Sequence, residues 1–380
     1  MRYNIHCKIV NVVHFGVNEN MSLMDRLKKA SKIDLANTFD SSEIVNNKDV
    51  IHLPVPALNI AFSGDLNGGL TPGLTMWAGE SKMFKSLYSL ICAKAYLDKY
   101  PDAVLLFYDS EMGAGRAYFD SLDIDPTRVW HAPITDVEQL KFDIMSQLNE
   151  IKRGDHLIII VDSIGNLASK KEVEDALGEK SSADMTRAKQ LKSLTRMVTP
   201  HLAIKNIPMI IVNHIYMDMG LFPKAITSGG TGLVYSSDNI FLVTRSQEKK
   251  GTDVIGYNFN INIMKSRYSR EKARIPVTIT YSNGINKWSG LLDMAVASGD
   301  VVKPSNGWYQ VVDPDTGEMV GNKLRAADTN TKEFWEPILA REHFQTWVRN
   351  NFGVANNKLL AENNAENSEL PNSEFTSTEE

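Results

Sequence analysis

Short uninterrupted apolar runs alternate with longer stretches of helical periodicity between Leu74 and Tyr281. Leu74 to Ala78, Ala103 to Tyr108, Leu157 to Val161 and Pro208 to Val212 each carry apolar side chains at nearly every position. Runs of that length predict strands buried on both faces, as in a parallel sheet covered by helices. Between them, Thr135-Asp136-Val137-Glu138 has capping-box spacing and predicts a helix through about Arg153. Asp184 to Asn206 predicts a further helix, distorted at Pro200. Asn258 to Lys265 alternates polar and apolar residues, and Ile275 to Tyr281 follows as its antiparallel neighbour. The pattern predicts an α/β fold: a mostly parallel sheet flanked by helices, with a hairpin on one side and no internal repeat.

Composition narrows the class. The 380 residues are 43% apolar and 23% charged, enough for one large core with smaller attachments. No apolar run approaches the roughly eighteen residues of a membrane span, so no membrane partner is expected. Ile9 to Val17 lacks a small-x-small cleavage site, and we expect no signal peptide. Met21 opens an amphipathic helix to Lys32 with Leu23, Leu27 and Ala30 on one face, so residues 1–20 read as a non-native or disordered extension. Cys7 and Cys92 are too few and too far apart for a metal site or disulfide framework, which fits a reducing cytoplasm. Net charge is −5, but residues 361–380 hold six glutamates and no Lys or Arg, leaving residues 1–360 at +1. That segment is expected to be disordered, serving either as a solubilising end or as an internal competitor over a basic surface.

The chemistry sits at strand ends. Gly79-Glu80-Ser81-Lys82-Met83-Phe84-Lys85-Ser86-Leu87 joins the first apolar run to a helix and matches a phosphate-binding P-loop with Phe84 replacing its second glycine. Unpaired N–H groups at the helix start would cradle a polyphosphate, Lys85 would reach its terminal phosphates, and Ser86 would ligate Mg²⁺. Phe84 is tolerable there provided it keeps a negative φ. Asp162 ends a later apolar run and is placed to hold Mg²⁺ through water. Glu111 and His214 follow two other runs, at the edge where open α/β sheets bind ligands. Each taken singly also reads as a solvated strand end; together they point to a nucleotide hydrolysis site.

Two connections are longer than a structural joint requires: Ser169 to Ala183 and Ile215 to Thr231. Ser169, Lys170, Lys171 and Lys180 on the first, with Met217, Phe222, Lys224, Gly229 and Gly230 on the second, suit contact with bases and phosphates of single-stranded nucleic acid. Lys265, Arg267, Arg270, Lys272 and Arg274 form a cationic cluster, either a solvated turn or a group reaching a neighbouring subunit's phosphates.

Together these residues resemble the RecA family of DNA strand-exchange recombinases, and within it the UvsX branch of T4-like bacteriophages. The likeness runs from about Met21 to Phe352. It is carried by Ser81-Lys82-Met83-Phe84-Lys85-Ser86, Phe107 to Glu111, Val161 to Glu172, Asn213-His214, Gly229 to Gly232 and Ser289 to Ala295. The phage branch shares the phenylalanine at Phe84.

The resemblance implies a RecA-like P-loop core over 56–288, an N-terminal helical oligomerisation segment over 21–55, a small α+β domain over 289–355 that admits duplex DNA, and a disordered acidic tail over 356–380. It implies that Glu111 polarises the attacking water, Tyr118 lies against adenine, and His214 senses the γ-phosphate. Lys265 and Arg267 would reach across a subunit interface. Gly115 departs from RecA itself, which has an aspartate near the base at that point. ATP and Mg²⁺ would be the cofactors. Single- and double-stranded DNA, further copies in a head-to-tail helical filament, a single-strand-binding protein and a recombination mediator would be the partners. The alternatives left open are a RecA-like hexameric helicase motor and a nucleotide-regulated single-strand-binding protein without significant turnover.

Overall fold

The computed structural model describes residues 21–113, 115–178, 185–217 and 225–354. Residues 1–20, Lys180, Phe222, Lys224 and the tail from 355 onward lie outside the described residues. The chain divides into two units, one ending at Lys48 and one beginning at Asp49. In the first, a helix spans Leu23–Ala30. Its N-cap Ser22 accepts from the Asp25 N–H, Asp25 lies in its first turn and Lys28 and Lys29 in its last, each placed favourably for the helix dipole. Short turns follow at Phe39–Ser41 and Glu43–Asn46.

The second unit is built on a nine-stranded sheet. Its strands are β1 (Gly73–Ala78), β2 (Val104–Asp109), β3 (Val129–Pro133), β4 (Leu157–Asp162) and β5 (Pro208–Asn213). After a small ladder of β6 (Ile215–Met217) and β7 (Ala225–Thr227) come β8 (Asn239–Lys250), β9 (Asp253–Lys265), β10 (Arg274–Thr280) and β11 (Gly284–Ile285). The sheet order is β11-β10-β9-β8-β1-β5-β4-β2-β3. The pairs from β8 through β3 are parallel, and β9, β10 and β11 extend the sheet antiparallel.

Every residue of β1, β4 and β5 is buried. Because strand side chains alternate between faces, Ile158 and Ile160 enter one core while Leu157, Ile159 and Val161 enter another. The helices Pro56–Ser63 and Lys85–Lys99 cover the first face. Val137–Glu150 and Thr186–Lys205 cover the second. Full burial of each isoleucine is favourable by about 1.5–3 kcal/mol. This two-sided coverage explains why the strands read as runs rather than alternations.

Local expectations need adjustment in three places. The Val137 helix is capped by Asp136, which accepts from Gln139 N, and Thr135 is held instead by the Gln139 side chain. The Thr186 helix continues through Pro200 to Lys205, closed by Asn206 in the left-handed region. The connection after β4 contains a helix, Lys170–Leu177, opened by a reciprocal capping box between Ser169 and Glu172.

Beyond β11, strands β12 (Val301–Ser305), β13 (Trp308–Val312) and β14 (Met319–Arg325) form an antiparallel sheet with helices Leu291–Ser298, Lys332–Leu339 and Glu342–Phe352. Trp335, Ile338, Phe344 and Val348 from these helices join the same core as Phe62 and Trp77. Among the described residues, no helix is long and apolar enough to cross a membrane.

Candidate active site

Parallel pairing brings β1, β5, β4 and β2 to a common edge, with Ala78 level with Asn213 and Asp109 level with Asp162. Everything the sequence placed after those strands therefore converges. Gly79 is required where the loop leaves β1, because a Cβ there would lie 2.9 Å from the Val243 carbonyl oxygen. Lys85 opens the following helix and folds back, donating from Nζ to the carbonyls of Gly79 (2.9 Å) and Glu80 (2.6 Å). Burial lowers its pKa, while Glu111, Asp162 and Glu80 pull the other way.

Phe84 does not keep a negative φ. It adopts φ 54°, in the left-handed region, as Lys82 does at 62°. That conformation costs about 1–2 kcal/mol for an L-residue. The ring compensates by packing on the core edge-to-face with Phe259, at 5.4 Å and 83°. Thus Phe84 adopts a backbone conformation that glycine takes freely, and its ring anchors the loop.

Two carboxylates face the loop in opposite environments. Glu111 Oε1 accepts from Ser163 Oγ (2.6 Å) and Asn166 Nδ2 (2.9 Å), and His214 Nε2 stands 2.9 Å away. These partners, His214 foremost and Ser163 after it, hold the Glu111 pKa down at about 2. Asp109 fixes the turn below by accepting from the Glu111 and Met112 N–H groups. Asp162 is only 5% exposed, and burial raises its pKa to about 6 against a hydrogen bond from Ser86. Its Oδ1 has no partner. A buried acceptor left unpaired costs about 1–3 kcal/mol, more when charged. Asp162 and Ser86 therefore fit a divalent cation, and bound water or phosphate would have to complete the shell. Among the described residues, no cluster of three His, Cys, Asp or Glu side chains could hold a metal alone.

The P-loop, Glu111, Tyr118, Asp162 and His214 line one cavity of about 570 Å³. Sequence reasoning missed Val212, Arg245, Tyr257 and Tyr281, which complete its wall. Arg245 donates to the Lys82 carbonyl (3.2 Å) and lies 4.3 Å from the Tyr257 ring centre, and Tyr257 meets Tyr281 edge-on at 6.1 Å. Val212 lies in β5, Arg245 in β8, Tyr257 in β9 and Tyr281 just past β10. The alternating pattern disclosed β9 and β10 but not which face would meet the loop, and it did not disclose β8 at all.

Lys265 and Arg267 do not join this cavity. Lys265 donates to the carbonyls of Val234 and Tyr235, both at 3.0 Å, and Arg267 pairs with Asp238. Lys265 is level with Ile240 and through it with Met76 in the middle of β1, while Arg267 pairs with Asp238, whose carboxylate accepts from the Leu74 N–H near the start of β1; the P-loop follows the strand's other end.

Of the connection residues, Ser169 is buried as a helix cap, and Lys170 and Lys171 begin the helix after it. Met217 is the last residue of β6. Gly229 and Gly230 both have positive φ, 91° and 77°. A Cβ on Gly229 would also press within 2.8 Å of Leu191 and Leu233, so glycine is needed there twice over. His214 is tied to this segment through the Ser228 N–H, which donates to its carbonyl at 2.9 Å.

Comparison with known proteins agrees with this arrangement. The family model of the RecA N-terminal domain matches residues 78–286, and that of the bacteriophage T4 recombination and repair protein, C-terminal domain, matches 288–348. The chain is 45% identical over 357 residues to the recombination and repair protein of Enterobacteria phage T4, covering 92% of this chain and 91% of that protein. It is 24% identical to protein RecA of Syntrophus aciditrophicus, over 80% of this chain and 83% of that one. It is 26% identical to protein RecA of Malacoplasma penetrans, over 77% and 87%. A parallel sheet carrying a P-loop, two matched family domains and a close relative along nearly its whole length place this chain in the RecA family of recombinases, in the branch of the phage T4 recombination and repair protein.

Proposed function

We propose that this chain is an ATP-dependent DNA strand-exchange recombinase that assembles head to tail on single-stranded DNA and hydrolyses ATP with Mg²⁺. The observation that carries the reading is the presence of Glu111 and Asp162 in one P-loop cavity, Glu111 hydrogen-bonded by Ser163 and Asn166 and Asp162 buried with an unpaired Oδ1.

In this reading Lys85 would exchange its two carbonyl partners for phosphate oxygens, and Asp162 and Ser86 would hold the metal. Mg²⁺ would supply charge neutralisation of the phosphates. Glu111 accepts a hydrogen bond from the attacking water and orients it. With its pKa near 2 it is a poor proton acceptor at neutral pH, which suits phosphoryl transfer, where positioning and electrostatics do most of the work. If His214 turned to a γ-phosphate, Glu111 would lose its strongest partner and become more basic, linking substrate presence to activation.

Arg267, paired with Asp238 near the start of β1, and Lys265, turned to the Val234 and Tyr235 carbonyls, both lie outside the cavity of their own P-loop, which supports service to a neighbour's nucleotide. A contact between two different surfaces of identical subunits propagates as an open helix unless rotation closes it. In β13 and β14, Lys323 (5.0 Å) and Arg325 (4.1 Å) cover Trp308, a basic and aromatic surface suited to admitting duplex DNA. The test is ATP turnover with and without single-stranded DNA, with assembly size followed in the same samples. DNA-stimulated turnover with long ATP-dependent filaments is expected; closed rings would favour a helicase motor, and neither stimulation nor assembly would remove the reading.

A further inference from the structure

Arg187, near the start of the Thr186–Lys205 helix, donates four hydrogen bonds in two directions. Nε reaches the Leu167 carbonyl (2.6 Å), and Nη2 reaches those of Gly165 (2.8 Å) and Ile164 (3.2 Å). Nη1 reaches Ser228 Oγ at 3.2 Å. The three carbonyls belong to the turn that presents Asn166, whose Nδ2 donates to Glu111 at 2.9 Å. Ser228 is tied to the other arm: its N–H donates to the His214 carbonyl (2.9 Å), and its own carbonyl accepts from Asn213 Nδ2 (2.8 Å). His214 Nε2 then stands 2.9 Å from the same Glu111 oxygen. One guanidinium therefore holds both arms of the Glu111 hydrogen-bond shell.

The same node gathers the roots of both long connections. Leu167 and Arg187 bracket the first; His214 precedes the second, and Ser228 lies near its end. A planar fork with five N–H donors can span these acceptors at fixed angles, whereas an ammonium cannot. We infer that Arg187 is a positioning residue that couples the two connections to each other and to Glu111. The inference rests on the reading above, in which those connections contact single-stranded DNA and Glu111 serves hydrolysis. A shift at either root must move the turn carrying Asn166 or the strand end carrying His214, because both are fastened to one rigid group.

The test uses the full chain, with Arg187→Lys, Ser228→Ala and the double variant. Nucleotide affinity is measured with a fluorescent ATP analogue, stability by thermal unfolding, and turnover without DNA and at saturating single-stranded DNA. We expect the ratio of DNA-stimulated to basal turnover to fall about fivefold or more in each single variant, the scale of a coupling between sites. The double variant should be no worse than Arg187→Lys, because both changes break one node. An unchanged ratio in the single variants, or losses that multiply in the double, would overturn the inference. So would basal and stimulated turnover falling by one common factor, as damage to the fold would cause. If Arg187→Lys does not fold, Ser228→Ala decides alone. A wild-type chain that DNA does not stimulate would instead remove the recombinase reading, and this inference with it.

Discussion

Glu111 and His214 meet at 2.9 Å although 103 positions separate them, and Ser163 Oγ lies within reach of both, at 2.6 Å from Glu111 and 3.3 Å from His214. The triangle places an imidazole and a hydroxyl beside the carboxylate that, in the proposed function, orients the attacking water.

Glu111→Gln keeps the shape and removes the charge. We expect nucleotide binding and assembly to persist while turnover falls by roughly 100-fold or more, the usual scale for a group acting on the attacking nucleophile. Isothermal titration with ATP and a phosphate-release assay would check both halves; unchanged release would refute the role given to Glu111.

Asp162 has its folded pKa raised from 3.8 to about 6 by burial. A carboxyl group so shifted contributes stability below its unfolded pKa and loses it as pH rises through the folded value. Without metal, this contribution should therefore disappear between about pH 4 and 6. Added Mg²⁺ with nucleotide should raise the unfolding midpoint more at pH 7 than at pH 5. Asp162→Asn should abolish the Mg²⁺-dependent part, which thermal unfolding with and without chelator would reveal.

Phe84 carries a backbone cost and a packing gain that substitution can separate. Phe84→Ala keeps the left-handed backbone and loses the ring against Phe259, while Phe84→Gly loses the ring and relieves the backbone. We expect the glycine variant to be the more stable of the two by about 1 kcal/mol. Urea unfolding of the pair would show it, and equal midpoints would argue against strain at Phe84.

Gly165 lies against His214. A Cβ there would stand 2.8 Å from His214 Cδ2 and 3.0 Å from His214 N. Gly165→Ala should displace His214 from Glu111 and lower turnover while ATP affinity holds. An unaltered pH dependence of turnover would mean that the imidazole had not moved.

The proposed sharing of the nucleotide site between copies predicts complementation. Lys85→Ala and Arg267→Ala should each be inactive alone, yet a mixture should regain part of the DNA-dependent turnover. In it, Arg267→Ala subunits supply intact P-loops and Lys85→Ala subunits supply intact cations. A mixture as inactive as its parts would place both residues in one subunit's site.

Much of this was legible in the sequence because buried parallel strands leave a strong signal. The runs ending at Ala78, Tyr108, Val161 and Val212 announced strands covered on both faces, and parallel pairing brought their polar successors together. Other elements were less legible. The Lys170–Leu177 helix is only eight residues long and buries none of them, so no core-facing stripe marked it, although Ser169 and Glu172 had capping-box spacing. Tyr257 and Tyr281 were invisible as site residues because a strand's alternation does not tell which neighbour will cover each face, and Arg245 because the sequence pattern did not disclose β8.

By itself the sequence determined the strand cores, the P-loop and the identities of Glu111, Asp162 and His214, since burial periodicity and charge are local properties of a chain. Only the tertiary structure decided which groups touch. It put Phe84 in the left-handed region, held the Glu111 pKa below the usual carboxylate range while burying Asp162, separated Lys265 and Arg267 from their own P-loop, and drew both connections onto Arg187. Those outcomes depend on distances of a few ångströms between residues far apart in sequence, over which desolvation and hydrogen bonding act.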